Sequence, residues 1–195
     1  MGTASALAGP HGASAPASGW IMRYAGRLAP GAEVLDLACG NGRNALALAA
    51  CGLHVEAIDR DPQCEAALRE ASGVRFRRLD LETSEWPLET DRYDAIVVAN
   101  YLYRPRLAQL AASLRNGGVL IYETFAAGNE QFGRPANPEF LLQPFELAQV
   151  FAPLLHVLAF EDGVVLTPRH ARVQRICAIR SDASRLDRLA LPADV

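Results

Sequence analysis

From Glu33 onward the sequence alternates short apolar runs with helical patterns, and that alternation restricts the fold more than any single residue does. EVLDLA leads into the helix RNALALAACG, which closes at Gly52. HVEAID leads into a helix opened by Asp61 with Pro62 in its first turn, and VRFRRLD is the next strand. Trp86 and Pro87 interrupt the pattern. YDAIVVAN then reads as a continuous apolar strand of the kind buried on both faces, followed by the helix RPRLAQLAASLRNGG and the strand VLIYETF. Strands separated by helices pair in parallel, with helices on both sides of the sheet. After the helix PFELAQVF, the strands LLHVLAFE and RVQRICAIR are joined by too few residues for a crossover helix, so they must pair antiparallel. The expected fold class is α/β, a three-layer sandwich around a seven-stranded, mostly parallel sheet ending in an antiparallel strand pair.

A chain of 195 residues, 50% hydrophobic, has enough apolar material for one core of this kind. Residues 1–17 are dominated by Ala, Gly, Ser and Pro and are expected to form a flexible tail; 18–180 make the domain and 181–195 a C-terminal tail. The domain opens with SGWIMRYAGRLA, a helix capped by Ser18 and closed by Pro30 and Gly31. No apolar run approaches the roughly 20 residues of a membrane span, and the first residues lack a signal-peptide pattern. The expectation is a soluble cytoplasmic protein. A net charge of −3 gives no general attraction to phosphate backbones, which disfavours nucleic acid as a partner. Cys39, Cys51, Cys64 and Cys177 form no C-x-x-C pair and the histidines have no ligand spacing, so no metal site is expected. All 19 basic residues are arginine. Without lysine, Schiff-base chemistry and the P-loop phosphate site are excluded.

The first strand ends in DLACGNGRNA, in which Gly40, Gly42 and Ala45 fit the G-x-G-x-x-A pattern of dinucleotide-binding loops. Such a turn presents backbone N–H groups and a positive helix end at the carboxyl edge of the sheet. Asp36 lies inside the strand. A carboxylate there repels a pyrophosphate, but it suits an ammonium group or can organise the loop through hydrogen bonds. Asp59, at the end of the second strand, is placed for ribose hydroxyls, and Asp80, after the third, for an adenine amino group. Three acids at three strand ends suit adenosine joined to an amino-acid cation. An NAD-dependent reductase is the competing reading, weakened by Asp36 and by the final antiparallel pair.

The run VLDLACGNGRNALALAACGLHVEAIDRD resembles the nucleotide-binding half of a class I S-adenosylmethionine-dependent methyltransferase. CGNGRNALALAACG followed by V-x-A-x-D is especially similar to the small bacterial methyltransferases of the tellurite-resistance type, and the order of elements from Trp20 to about Arg180 follows that superfamily. The resemblance implies a Rossmann-like fold and S-adenosyl-L-methionine as cofactor. By position it implies that Asp36, Ala38, Gly40 and Gly42 line the methionine end and that Asp59 holds the ribose. Asp80 and Leu81 would frame the adenine, Arg60 would cover its face, and Asn100 would close the site. Cys39 and Asn41 would make backbone contacts, and Trp20 and Arg23 would close over the cofactor from the first helix.

Methyl transfer from a sulfonium is an in-line displacement, so the site contributes mainly by aligning the acceptor and excluding water. Tyr101, Glu123 and Arg134 are the candidate catalytic residues. Tyr101 could wall the acceptor pocket, Glu123 could act as a base or cation anchor, and Arg134 could grip an anion from the long connection 126–143, read as a lid. NPEF at 137–140 resembles the N-P-P-[YF] signature of amide and nucleobase methyltransferases, but it lies far from the end of the fourth strand and has Glu139 in place of proline. Arg169, His170, Arg172 and Arg175 could bind an oxyanion or RNA, whereas strand alternation explains them as solvent-facing residues. The reading is methyl transfer to a small-molecule acceptor, with RNA or protein methylation, or cofactor binding without turnover, as alternatives.

Overall fold

The computed structural model describes residues 15–181, residue 84 excepted. The expected tails therefore lie outside the described residues, except at 15–17 and 181. In chain order the elements are α1 (Gly19–Ala25), β1 (Glu33–Leu37), α2 (Arg43–Ala50), β2 (His54–Asp59), α3 (Gln63–Leu68), β3 (Val74–Arg78) and β4 (Tyr93–Ala99). There follow α4 (Leu107–Ser113), β5 (Leu114–Phe125), α5 (Glu146–Phe151), β6 (His156–Val165) and β7 (Ala171–Ile179). The seven strands form one sheet in the order β3-β2-β1-β4-β5-β7-β6. The first five pair in parallel, and β7 pairs antiparallel with both β5 and β6. No helix among the described residues is long and apolar enough to cross a membrane.

Period-two burial splits the core into two layers. Trp20, Ile21, Ala45, Leu48 and Leu68 of α1, α2 and α3 pack on Val34, Ala57, Val97 and Ile121. On the opposite face Leu107, Leu110, Leu147 and Phe151 of α4 and α5 pack on Leu35, Ile96, Leu120 and Ile176. The Ser18 hydroxyl accepts from the Ile21 N–H at 3.2 Å, and the Asp61 carboxylate accepts from the Gln63 N–H at 2.9 Å, so both helix starts are where the sequence marks them.

Helix ends differ more. The first helix stops at Ala25, before Pro30 and Gly31, because Gly26 already closes it. The fourth stops at Ser113 rather than at the Gly117–Gly118 pair, because Leu114 pairs with Tyr93 and starts β5 early. Gly118 permits this register: a Cβ there would lie 2.9 Å from two carbonyl oxygens, of Arg115 and Tyr93.

Candidate cofactor and acceptor site

The β1–α2 connection turns three times through the left-handed region, at Ala38 (φ 54°), Gly40 (φ 54°) and Gly42 (φ 74°). A Cβ on Gly42 would meet the Leu68 side chain at 2.2 Å, whereas a Cβ on Gly40 would meet nothing within 4 Å. Gly42 is thus required by packing, and Gly40 borders open space at the sheet edge. Asp36 is 1% exposed, and its Oδ2 accepts from the Ala45 N–H at 2.9 Å. The carboxylate is thus bonded to the first turn of α2. Burial pushes Asp36 up to about 7, against the lowering effect of the Ala45 N–H and of Arg43; Asp59 adds to the rise. Asn44, which the sequence reading passed over, accepts from the Ser18 N–H at 2.9 Å and ties α1 to the start of α2.

Asp59 supports the same loop from the neighbouring strand. Its Oδ2 accepts from the Gly40 N–H at 2.9 Å and its Oδ1 from the Asp61 N–H at 3.0 Å, which leaves acceptor capacity on both oxygens. Cys39 is buried, its N–H donates to Ile58 O at 2.9 Å, and its carbonyl accepts from Gly42 at 3.0 Å. Both backbone groups of Cys39 thus have partners inside the fold. Asn41 is exposed at the turn.

After β3, Asp80 is exposed and its Oδ1 accepts from the Glu82 N–H at 2.9 Å. Leu81 points inward and lines a small cavity with Tyr101, Trp86, Leu107 and Leu110. Arg60 pairs with Glu82 at 3.6 Å, a carboxylate the sequence did not mark. Burial, with Asp80, raises Glu82 above the usual carboxylate range, against the lowering influence of Arg60 and of Tyr101. The buried Tyr101 hydroxyl lies beside Glu82, and burial with the charges of Glu82 and Asp80 raises it. Tyr101 thus sits with the β3 group, its carbonyl accepting from the Tyr122 hydroxyl at 2.7 Å. Asn100 adopts φ 58° at the end of β4, and its N–H donates to Glu123 O at 3.0 Å.

Glu123 is nearly buried, and its Oε2 accepts from Arg175 Nε at 3.0 Å. Arg175 also reaches Glu161 at 3.2 Å and lies over the Trp20 ring at 5.7 Å. Trp20 Nε1 donates to Ile176 O at 3.3 Å, and Arg23 pairs with Glu161 at 3.7 Å. Trp20 and Arg23 therefore meet β6 and β7 across the sheet. Arg134 is exposed, with its carbonyl accepting from Arg169 at 3.3 Å.

The 126–143 connection is pinned at several points. The buried Asn129 donates to Pro135 O at 3.0 Å and accepts from the Arg172 N–H at 3.1 Å. Arg104 makes two bonds to Glu146, at 2.7 and 3.0 Å, and a third to Leu141 O at 2.8 Å. Asn137 of the NPEF run caps the Glu139 N–H at 3.1 Å, a local structural role. Arg172 pairs with Asp162, and Arg169 lies 5.4 Å over the Phe125 ring. Asn44 and Arg104 carry no local sequence signal because their partners lie 26 to 42 positions away.

A family model described as a methyltransferase domain matches residues 34–118. The tRNA U34 carboxymethyltransferase of Methylococcus capsulatus is 32% identical over 130 residues, 60% of this chain and 40% of its own length. The chain spans less than half the length of the curated relatives it matches. TehB from Haemophilus influenzae has a TM-score of 0.69 at 19% identity, covering 82% of this chain and 61% of that one. A TehB-like SAM-dependent methyltransferase from Corynebacterium glutamicum has a TM-score of 0.59 at 19% identity, covering 82% and 85%. Identities this low speak to the fold. Residues 34–118 thus match a methyltransferase domain model, and the described residues share their fold with TehB and the TehB-like methyltransferase.

Proposed function

We propose that this protein transfers a methyl group from S-adenosyl-L-methionine to a small-molecule acceptor at the carboxyl edge of the sheet. The carrying observation is the loop at Gly40: open space beside a left-handed glycine, backed by an Asp59 carboxylate with unused acceptor capacity. Those features fit an adenosine-containing ligand. Asp59 would accept from ribose hydroxyls, Asp80 would face the adenine, and Ala38, Gly40 and Asn41 would border the amino-acid end. Asp36 holds the loop in shape, and Asn100 closes the edge toward β5. The bound cofactor supplies an electrophilic methyl group on a sulfonium. The chain's own residues orient the acceptor and exclude water. Four free cysteines among the described residues support a reducing, cytoplasmic setting.

Calorimetric titration with S-adenosylmethionine, S-adenosylhomocysteine and NADH tests the cofactor. Both sulfur nucleosides should bind and NADH should not. Asp59→Ala should weaken S-adenosylhomocysteine binding by about tenfold or more, consistent with hydrogen bonds to a charged group. An unchanged affinity in that variant would sink the assigned ribose role. The likeness to a tRNA-modifying protein favours a second reading, an RNA acceptor. Paired guanidinium groups at Arg172 and Arg175 count against it.

A further inference from the structure

At the acceptor end, β4 and β5 lie between the glycine loop and β7. Glu123 is two strands from β1, roughly 10 Å across the sheet. It continues the period-two face of Val119 and Ile121, the face that α1 covers. Its carboxylate is held on one oxygen by Arg175, and Arg175 is itself fixed by Glu161 on one side and Trp20 below. Arg175 thus spans two carboxylates. Arg172 is matched by Asp162, and Arg23 by Glu161. An oxyanion site needs uncompensated positive charge, and Arg23, Arg172 and Arg175 already have acidic partners. Glu123, in contrast, has acceptor capacity beyond the one bond from Arg175.

We infer that Glu123, positioned by Arg175, accepts the hydrogen of a protic acceptor, a hydroxyl or an amine, and that the site thereby selects such nucleophiles over small oxyanions. This rests on the methyltransferase reading above and narrows its substrate class. The acceptor's lone pair takes the methyl carbon, and the electron pair of the broken carbon–sulfur bond stays on sulfur. The acceptor's proton leaves through Glu123 to solvent. Glu123 touches the substrate; Arg175 is a positioning residue.

The test uses the full chain with S-adenosylmethionine carrying a tritiated methyl group and three probes: a catechol, a primary alkylamine and selenite. Label should pass to at least one protic probe and not to selenite. Glu123→Gln should lower that transfer about 100-fold, the scale of a lost proton acceptor, while S-adenosylhomocysteine affinity stays within twofold by calorimetry. Arg175→Met should raise KM and lower kcat for the same probe, and its effect should vanish in the Glu123→Gln background. Labelled selenite, no label on either protic probe, full turnover in Glu123→Gln, or additive effects of the two substitutions would overturn the inference. Failure of the wild-type protein to bind S-adenosylhomocysteine would overturn the cofactor reading instead.

Discussion

Gly40 and Gly42 sit two positions apart in one turn and should respond in different ways to a single methyl group. Gly42→Ala drives a Cβ into Leu68, itself only 1% exposed, at a φ of 74°. The cost should be about 2 to 4 kcal/mol, seen as a lower urea midpoint. Gly40→Ala carries backbone strain of about 1 kcal/mol without a clash, so its main loss should be in S-adenosylhomocysteine affinity. Equal stability losses in the two variants would contradict this division. Asp36 gives a pH signature of its own. Its folded value, about 7, is raised above the ordinary 3.8, so the native state binds the extra proton across that window. Stability attributable to Asp36 therefore falls as pH rises from about 4 to 7 and is level above it, by up to about 4 kcal/mol. Asp36→Asn should flatten that part of the stability profile in urea unfolding at a series of pH values. The sequence marks these loop residues because glycines and strand-end acids are visible locally. Arg104 and Asn44 act on partners distant in the chain, which no local pattern encodes.

At the scale of elements, strands were more legible than helix ends. The apolar runs of β1, β2 and β4 coincide with their strands to within a residue or so, since period and length both mark them. Helix α4 ends at Ser113 because pairing of Leu114 with Tyr93 overrides the glycine stop signal four residues on. The 126–143 connection offered only composition, and composition does not show that Arg104 staples its far end to α5. Replacement of Arg104 by Lys keeps the charge but loses the fork that spans Glu146 and Leu141 O. Amide hydrogen exchange in residues 139–143 should then speed up several-fold with little change in β5 or β7. Uniform exchange across the sheet would point to global destabilisation instead.

For the molecule as a whole, the proposed cofactor binding predicts a gain in stability by mass action. S-adenosylhomocysteine at 100 times its Kd should add about 2.7 kcal/mol, or roughly 5 to 10 °C in Tm for a domain of this size, with no shift from NADH. Absence of a shift at saturating ligand would contradict native-state binding. A wider consequence comes from the reversal of β7. Because β7 runs against its neighbours, the β6–β7 turn at 166–170 emerges on the same side as the glycine loop, where an ordinary parallel strand would have sent its connection to the back. That turn is exposed and lies outside both strand ladders. Lengthening it breaks no sheet hydrogen bond, and each doubling of a flexible loop costs only about 0.6 kcal/mol in closure entropy. The hairpin tip is therefore a place where insertions can grow beside the edge that carries the glycine loop while the pairing of β1 to β5 stays as it is.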